Sequence, residues 1–471
     1  MGSLGGEISS NFVNPAGLGL YRTNEFVITP GLRFLLDKSN YLGTKTSASS
    51  VSNFNLGTSG LVTSHMGPNG ASNVFSIAVN RTANFNGNIH YKGQNDYSSA
   101  SEQYVEEFAY SGFDINGGIG SPALSYGTRM ALYTSLIDTA TVNGSLQVIG
   151  QPQKAGQLFQ DNNIRTKGGI TEIALNLATG IEGKWFIGGG LGIPIMNYTR
   201  YQTFTESDAT GNTNNDFESF IYRETFTSKG WGLNAKLGVL FKPDNAWRVG
   251  FALHTPTIFG VTDEIHSSMI TRTENYTSLQ QVSISSDSLD RIVGIDPPAN
   301  SVNYNLYTPW KFVLSGSYVF GGEATDVKQQ KGFVTADLEY TTTRSSRFKP
   351  ADDNSENQSD YFNSINESVK NYYKSTLGVR LGGELKFNTL MARAGVAYYT
   401  SPYRDKELTA DRLFLSAGIG YRNSGMFVDL AYVAGFSRDV NFPYRLQDKA
   451  NVFALLKENG GSLIMTVGFK L

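Results

Sequence analysis

The segment YKSTLGVRLGGELKF, residues 373–387, alternates in polarity from end to end. Successive side chains of an extended chain point to opposite sides, so Tyr373, Leu377, Val379, Leu381, Leu385 and Phe387 share one face. Lys374, Thr376, Arg380, Glu384 and Lys386 share the other. A strand built this way has one wholly apolar face and one charged face. The same pattern recurs in KGWGLNAKLGVLFK, where Trp231, Leu233, Ala235, Leu237, Val239 and Phe241 oppose Asn234, Lys236 and Lys242. It returns in residues 412–422, 426–436 and 462–471.

Counted along the chain, such runs predict fourteen strands, near 24–36, 51–64, 73–84, 168–181, 184–203, 227–242, 246–260, 303–320, 331–346, 373–388, 390–402, 410–423, 425–438 and 460–471. The connections alternate in length. MGPNG, EGK, PDNA, NTL and RNSG are tight turns, and the segment 321–331 is fairly short. Between them lie long segments at 37–50, 85–167, 204–226, 261–302, 347–372 and 439–459, with a shorter one at 403–409. Short turns on one rim and long loops on the other mark a bacterial outer-membrane barrel. Strands as long as 227–242 and 303–320 are expected to project beyond the bilayer.

Composition agrees. Gly (51 residues), Tyr (25) and Phe (29) are abundant, as in chains of many aromatic-rich strands joined by turns. No apolar run reaches the roughly 18 residues a membrane helix needs. The negative mean hydropathy of −0.25 does not argue against a barrel, which shows lipid only alternate residues. A net charge of −2 speaks against a nucleic-acid partner. The absence of cysteine excludes disulfides and thiolate sites, and the four histidines show no metal-ligand spacing. No signal peptide is visible in MGSLGG, which suggests a processed or truncated N-terminus.

The alternative for strands of this kind is a soluble sandwich or propeller. The barrel reading assigns the polar faces of consecutive strands to a wet lumen bridged by ion pairs, with Asp337, Glu339, Arg380, Glu384, Arg393, Arg412 and Asp429 as its network. A solvated sheet face would use the same residues. Trp185, Trp231, Trp247, Trp310, Phe241, Phe320, Phe387 and Tyr421, near strand ends, fit interfacial girdles.

Ahead of the first strand stands SNFVNPAGLGLYRTNEF, an irregular coil around Asn14, Pro15, Ala16 and Gly17. Fourteen strands preceded by this Asn-Pro-Ala segment resemble the FadL-like outer-membrane proteins, the carriers of hydrophobic compounds, in the version common in Bacteroidetes. The resemblance implies an all-β fold: a 14-stranded antiparallel transmembrane barrel (24–471) with an N-terminal hatch (1–23) inside the lumen and short helices in long extracellular loops. Asn14, Pro15, Ala16 and Gly17 match the hatch motif, although only thirteen residues precede it here, fewer than in the family pattern. A barrel of this width leaks unless filled, and a coil rich in Gly and Asn can turn tightly inside it.

The longest insertion, 85–167, holds two helix candidates. SASEQYVEEFAYSG opens with a Ser99–Glu102 capping box and carries a stripe of Tyr104, Val105 and Phe108. SPALSYGTRMALYTSLIDT is expected to start with Ser121 as cap and Pro122 in the first turn, with Leu124, Ala131, Leu132 and Leu136 as its stripe. By resemblance, Tyr104, Val105, Phe108, Leu124, Leu132 and Leu136 gather hydrophobic ligand; packing on one another to roof the barrel is the equal alternative. Pro194, inside a Gly-rich strand, predicts a bulge or kink, which in the family opens a lateral gap. GGGLG is a poor nucleotide site without a following helix, and the polar loops DNNIRTKGG and DNSENQSD lack EF-hand spacing.

No catalytic constellation and no cofactor are expected. The chain reads as an outer-membrane channel for passive uptake of hydrophobic or amphipathic, fatty-acid-like small molecules, gated by the hatch and surrounded by outer-membrane lipid. The alternative is a non-transporting FadL-like partner barrel, whose extracellular loops dock other outer-membrane proteins in a secretion or assembly complex.

Overall fold

The computed structural model describes residues 1–67, 71–142, 144–321, 330–352 and 356–471. The turn at 66–70, the connection at 321–331 and the polar segment 353–360 lie partly outside them.

Among the described residues, fourteen wall strands form one closed antiparallel sheet. Strand β1 runs through Glu25–Ile28 and Pro30–Tyr41, β2 through Val51–Leu56 and Ser59–Met66, and β3 through Ser72–Asn84 and Gly87–Asn95. Next come β4 (Leu158–Ile181), β5 (Trp185–Asp208), β6 (Ser219–Phe241) and β7 (Trp247–His254 with Ile258–Arg272). Strands β8 (Ser301–Tyr307 with Lys311–Phe320) and β9 (Gly332–Thr341 with Arg347–Pro350) follow. The wall ends with β10 (Thr376–Phe387), β11 (Leu390–Tyr399), β12 (Arg412–Asn423), β13 (Met426–Asn441) and β14 (Ala454–Lys470). Each strand pairs with its chain neighbour, and β14 returns to β1 with Phe469 opposite Phe26 and Ile464 opposite Gly31.

Which face points inward separates this barrel from a sandwich. In β10 the apolar face is exposed, Leu381 at 49% and Leu385 at 54%, whereas Glu384 on the charged face is buried at 4%. A soluble sheet buries the opposite set. The apolar side therefore faces lipid, and the charges face a filled interior. Trp185 stacks 4.3 Å from Phe241 at the short-turn rim, and Trp231 stands ten residues higher on β6. At about 3.3 Å per residue and a tilt of about 40°, that interval spans about 25 Å, the height of an outer-membrane apolar band. No helix among the described residues is long and apolar enough to cross a membrane.

Several strands extend past their sequence-based limits: β4 begins at Leu158 and not near 168, β5 ends at Asp208, β6 begins at Ser219, β7 ends at Arg272 and β14 begins at Ala454. Above the bilayer both strand faces meet polar surroundings, so alternation fades although the ladder continues. DNNIRTKGG consequently lies within β4 and is not a loop.

Helix α1 (Ser10–Val13) belongs to the N-terminal segment; α2 (Ser101–Ser111), α3 (Ile115–Gly120) and α4 (Tyr126–Tyr133) lie in the long insertion. Helix α5 (Ser286–Ile292) follows β7, and α6 (Glu356–Tyr372) follows β9. At α2, the Glu102 carboxylate accepts the Ser99 N–H at 2.9 Å and Ser99 Oγ accepts the Ser101 N–H at 3.0 Å. The second helix begins at Tyr126, not after Ser121. Ser125 is its cap, because Glu107 of α2 takes both the N–H and the hydroxyl of Ser125, each at 2.6 Å. A tertiary partner thus overrode the local Ser-Pro signal.

Candidate functional site

The N-terminal segment through Tyr21 packs against inward-facing residues of the barrel wall. Asn14 ends α1 and starts a 3-10 turn over Pro15–Leu20, where its Oδ1 accepts the Ala16 N–H at 3.1 Å. Its amide donates to Gly2 O at 2.8 Å, drawing the chain start against the turn. Pro15, Ala16, Gly17 and Leu18 are buried.

One half of the wall, β3 to β9, holds this hatch. Ser72 donates to Gly19 O at 2.6 Å and Asn176 donates to Asn11 Oδ1 at 2.8 Å. Arg248 donates to Leu4 O, and His254 Nε2 lies 2.9 Å from Val13 O. The Gly2 N–H reaches both oxygens of Asp337 at 3.2 Å. Glycines let the backbones close in: a Cβ on Gly188 would meet the Pro15 carbonyl and come within 2.6 Å of Ala16 N, and one on Gly238 would overlap the Asn14 side chain. Among the described residues, no hydrogen bond joins residues 1–20 to β11–β14. On that side the hatch makes apolar contact through Ile8, whose cluster includes Val27 and Phe427.

The lumen network forms in two units. Arg380 lies 3.3 Å from Asp337 and 3.4 Å from Glu339, which also faces Lys311 at 3.2 Å. Arg393 bridges Glu384 at 2.6 Å and Asp429 at 2.8 Å. Arg412 takes no part: it stands higher, at the start of β12, beyond reach of those carboxylates. Sequence inspection passed over a third buried pair, Lys236 with Glu172, although Lys236 and Asn234 alternate with the apolar residues of β6.

Two cavities lie in the lumen, the lower one beside the hatch and the upper one lined by wall residues alone. The upper one, about 620 Å³, is lined by Arg33, Asp37, Phe85, Tyr198, Arg412, Phe414, Val433 and Glu458. Arg33 and Glu458, which pair at 3.1 Å, lie at inward positions of β1 and β14. The sequence offered a signal for Arg33 in its spacing from Gly31 and Leu35, but Glu458 fell outside the expected strand. The lower cavity, about 380 Å³, lies between hatch residues Gly6–Ser9 and the wall at Val27, Arg393, Arg422, Asp429 and Ile464. Lining residues Val433 and Ala431 are consecutive inward positions on β13, so the two cavities abut.

Above the upper cavity, helices α2–α4 and strand ends make a roof. Tyr104, Phe108, Leu124, Leu132 and Leu136 are buried in one cluster with Phe204, Phe220 and Met269, and Val105 packs against its edge. Arg129 and Asp290 form a buried pair at 2.9 Å that ties α4 to α5. Burial, then the neighbouring Asp290, raises the Tyr126 phenol well above its usual range. In the 442–453 connection, burial pushes Tyr444 up to about 12, so its hydroxyl keeps the proton it donates to Ser98 O at 3.0 Å.

Pro194 interrupts the β5–β6 ladder without a bulge: Gly192 pairs with Asn234 and Ile195 with Trp231 in one register. The pairings of Ile193 and Pro194 with β6 are missing, and proline has no N–H to donate there. The register shift lies on β7, where Thr255–Thr257 separate its two halves. A groove of about 640 Å³ near Gly189 opens on the outer wall, between Phe75, Leu177, Ile187 and Leu237. It does not enter the lumen there, because Pro15 and Ala16 stand directly behind Gly188.

A closed, plugged barrel with an exposed apolar band is a protein of the bacterial outer membrane. Its fold is that of the FadL-type barrels. It is similar over 99% of its length to a Pseudomonas aeruginosa FadL homologue, at 15% identity and a TM-score of 0.52, covering 94% of that chain. The Pseudomonas putida toluene transporter TodX is similar over 99% of this chain and 94% of its own, at 11% identity and a TM-score of 0.53. No family model matches the sequence, and no curated protein matches it.

Proposed function

We propose that this protein is a passive channel for hydrophobic or amphipathic small molecules, fatty-acid-like in joining an apolar body to a polar head, and that the hatch gates its lower exit. The observation that carries this reading is the upper cavity, where Phe85, Tyr198, Phe414 and Val433 adjoin Arg33 and Arg412 inside a plugged barrel. Its volume suits a small molecule, and its lining sets aromatic and aliphatic side chains beside charged ones, as a cargo with an apolar body and a polar head requires. The lower cavity beside Gly6–Ser9 supplies the exit, and the motif Asn14–Gly17 holds the hatch that bounds it. The stripe of Tyr104, Val105, Phe108, Leu124, Leu132 and Leu136 serves in this reading as the apolar ceiling under which ligand collects. One barrel of the same fold is named a toluene transporter, which agrees with a hydrophobic cargo.

The test is uptake of a radiolabelled long-chain fatty acid by Gram-negative cells that lack their own channel for it. Expression of the chain should raise the rate severalfold, and Arg33→Gln with Arg412→Gln should remove most of that gain while sugar uptake stays unchanged. Equal uptake with and without the protein would overturn the proposal.

A further inference from the structure

Three cations stand side by side on the outside of the barrel where its apolar band ends. Outward residues of β1 run Phe26, Ile28, Leu32, Phe34 and Leu36, all exposed, and the next is Lys38. The interval from Phe26 to Leu36 is again ten residues, about 25 Å of height at the usual rise and tilt. Lys38 therefore sits at the level of lipid headgroups in the outer leaflet. Lys457 on β14 lies directly opposite Lys38, and Arg438 on β13 lies directly opposite Lys457. All three side chains are exposed.

Directly opposed residues of antiparallel strands hold their Cβ atoms about 4.5–5.5 Å apart, and like charges there destabilise the sheet. Little in the protein offsets this row. Among the described residues, none of the three belongs to an ion pair. Their neighbours along the outward faces, Leu36, Leu455, Asn459 and Phe436, are uncharged. Glu458 points inward to Arg33. Asp411 adjoins Arg438, whose N–H it accepts at 3.2 Å through its carbonyl, but its carboxylate takes the Ser401 N–H at 3.0 Å. One carboxylate beside three cations leaves the row positive.

We propose that Lys38, Lys457 and Arg438 bind the phosphate groups of a phosphorylated glycolipid of the outer leaflet, whose acyl chains lie along Phe34, Leu36 and Phe436 below them. A phosphate between two strands bridges cations that otherwise repel, and the anchored chains hold it at that height.

The test is the temperature at which the full-length barrel loses its compact form on an unheated gel. It is measured in phosphatidylcholine vesicles and in the same vesicles containing lipid A, a bisphosphorylated glucosamine glycolipid. Lipid A should raise the unfolding temperature of the unmodified protein by a few degrees. The triple variant Lys38→Gln, Arg438→Gln, Lys457→Gln should be at least as stable in phosphatidylcholine alone, because repulsion is relieved, and should gain nothing from lipid A. The single variant Lys457→Gln, which removes the central charge, should lose most of the gain and serves should the triple variant not fold. A triple variant that keeps the full gain would overturn the proposal. So would an equal rise with inorganic phosphate in phosphatidylcholine vesicles, which would mark a soluble-anion site.

Discussion

Two adjacent glycines show how finely the wall is fitted to its plug. Gly188 points into the lumen, where a Cβ would press on the backbone of Pro15 and Ala16; Gly189 points to lipid, where a Cβ would meet the end of Leu237 at 2.9 Å. Backbone cannot yield as a leucine rotamer can, so the same added methyl has different consequences on the two faces. Gly188→Ala should weaken hatch docking by about 1–3 kcal/mol, the usual range for overpacking a close contact. Its signature would be faster protease cleavage within residues 1–23 and more frequent open events in planar bilayers. Gly189→Ala should behave as the unmodified protein in both measurements. Equal effects from the two variants would mean that Gly188 does not set the fit. Sequence alone cannot separate these residues, since GGG has no side chains to reveal which face each position takes.

Among the elements, the roof depends on fewer ties than the wall does. Helix α4 is joined to α5 through Arg129, whose guanidinium bonds Asp290 at 2.9 Å and Ile119 O at 2.9 Å, with both charged side chains at 3% exposure or less. Removing one partner of a buried pair leaves the other desolvated and costs about 3–5 kcal/mol. Arg129→Met should therefore loosen the roof and leave the barrel ladders intact. Limited proteolysis should cut between residues 98 and 156 at temperatures where the barrel keeps its compact gel mobility. Loss of both together would show that roof and wall unfold as one unit. The elements also mark where sequence reasoning succeeds. All fourteen wall strands could be read from period-two alternation, because lipid on one side and a polar lumen on the other impose it on every strand. The strand extensions at 158–167 and 261–272 were hidden, because no lipid faces them and their outward residues are mostly polar. The start of α4 was misplaced for a third reason: Glu107, eighteen residues before its cap, decides it.

Considered whole, the molecule is a wide cylinder whose interior is divided rather than evenly filled. The hatch is bonded to β3–β9, and the charge network crosses β8–β13; the gap that remains at the level of the hatch is the lower cavity of about 380 Å³. That the N-terminal segment plugs a barrel could be argued from its place ahead of the wall strands. That it would lean on one half of the wall could not, since the anchors Ser72, Asn176, Arg248 and Asp337 are scattered over 266 positions of sequence and meet only through barrel closure. The division predicts what removing the hatch should do. The wall strands keep every ladder hydrogen bond without it, and the uncovered inward groups, Asn176, His254 and the Lys236–Glu172 pair, are polar and can be solvated. A variant lacking residues 1–22 should therefore still assemble as a compact, heat-modifiable barrel, and its single-channel conductance should rise severalfold over that of the intact protein. Conductance that stays unchanged would show that the hatch does not limit passage, and would place the gate at the roof.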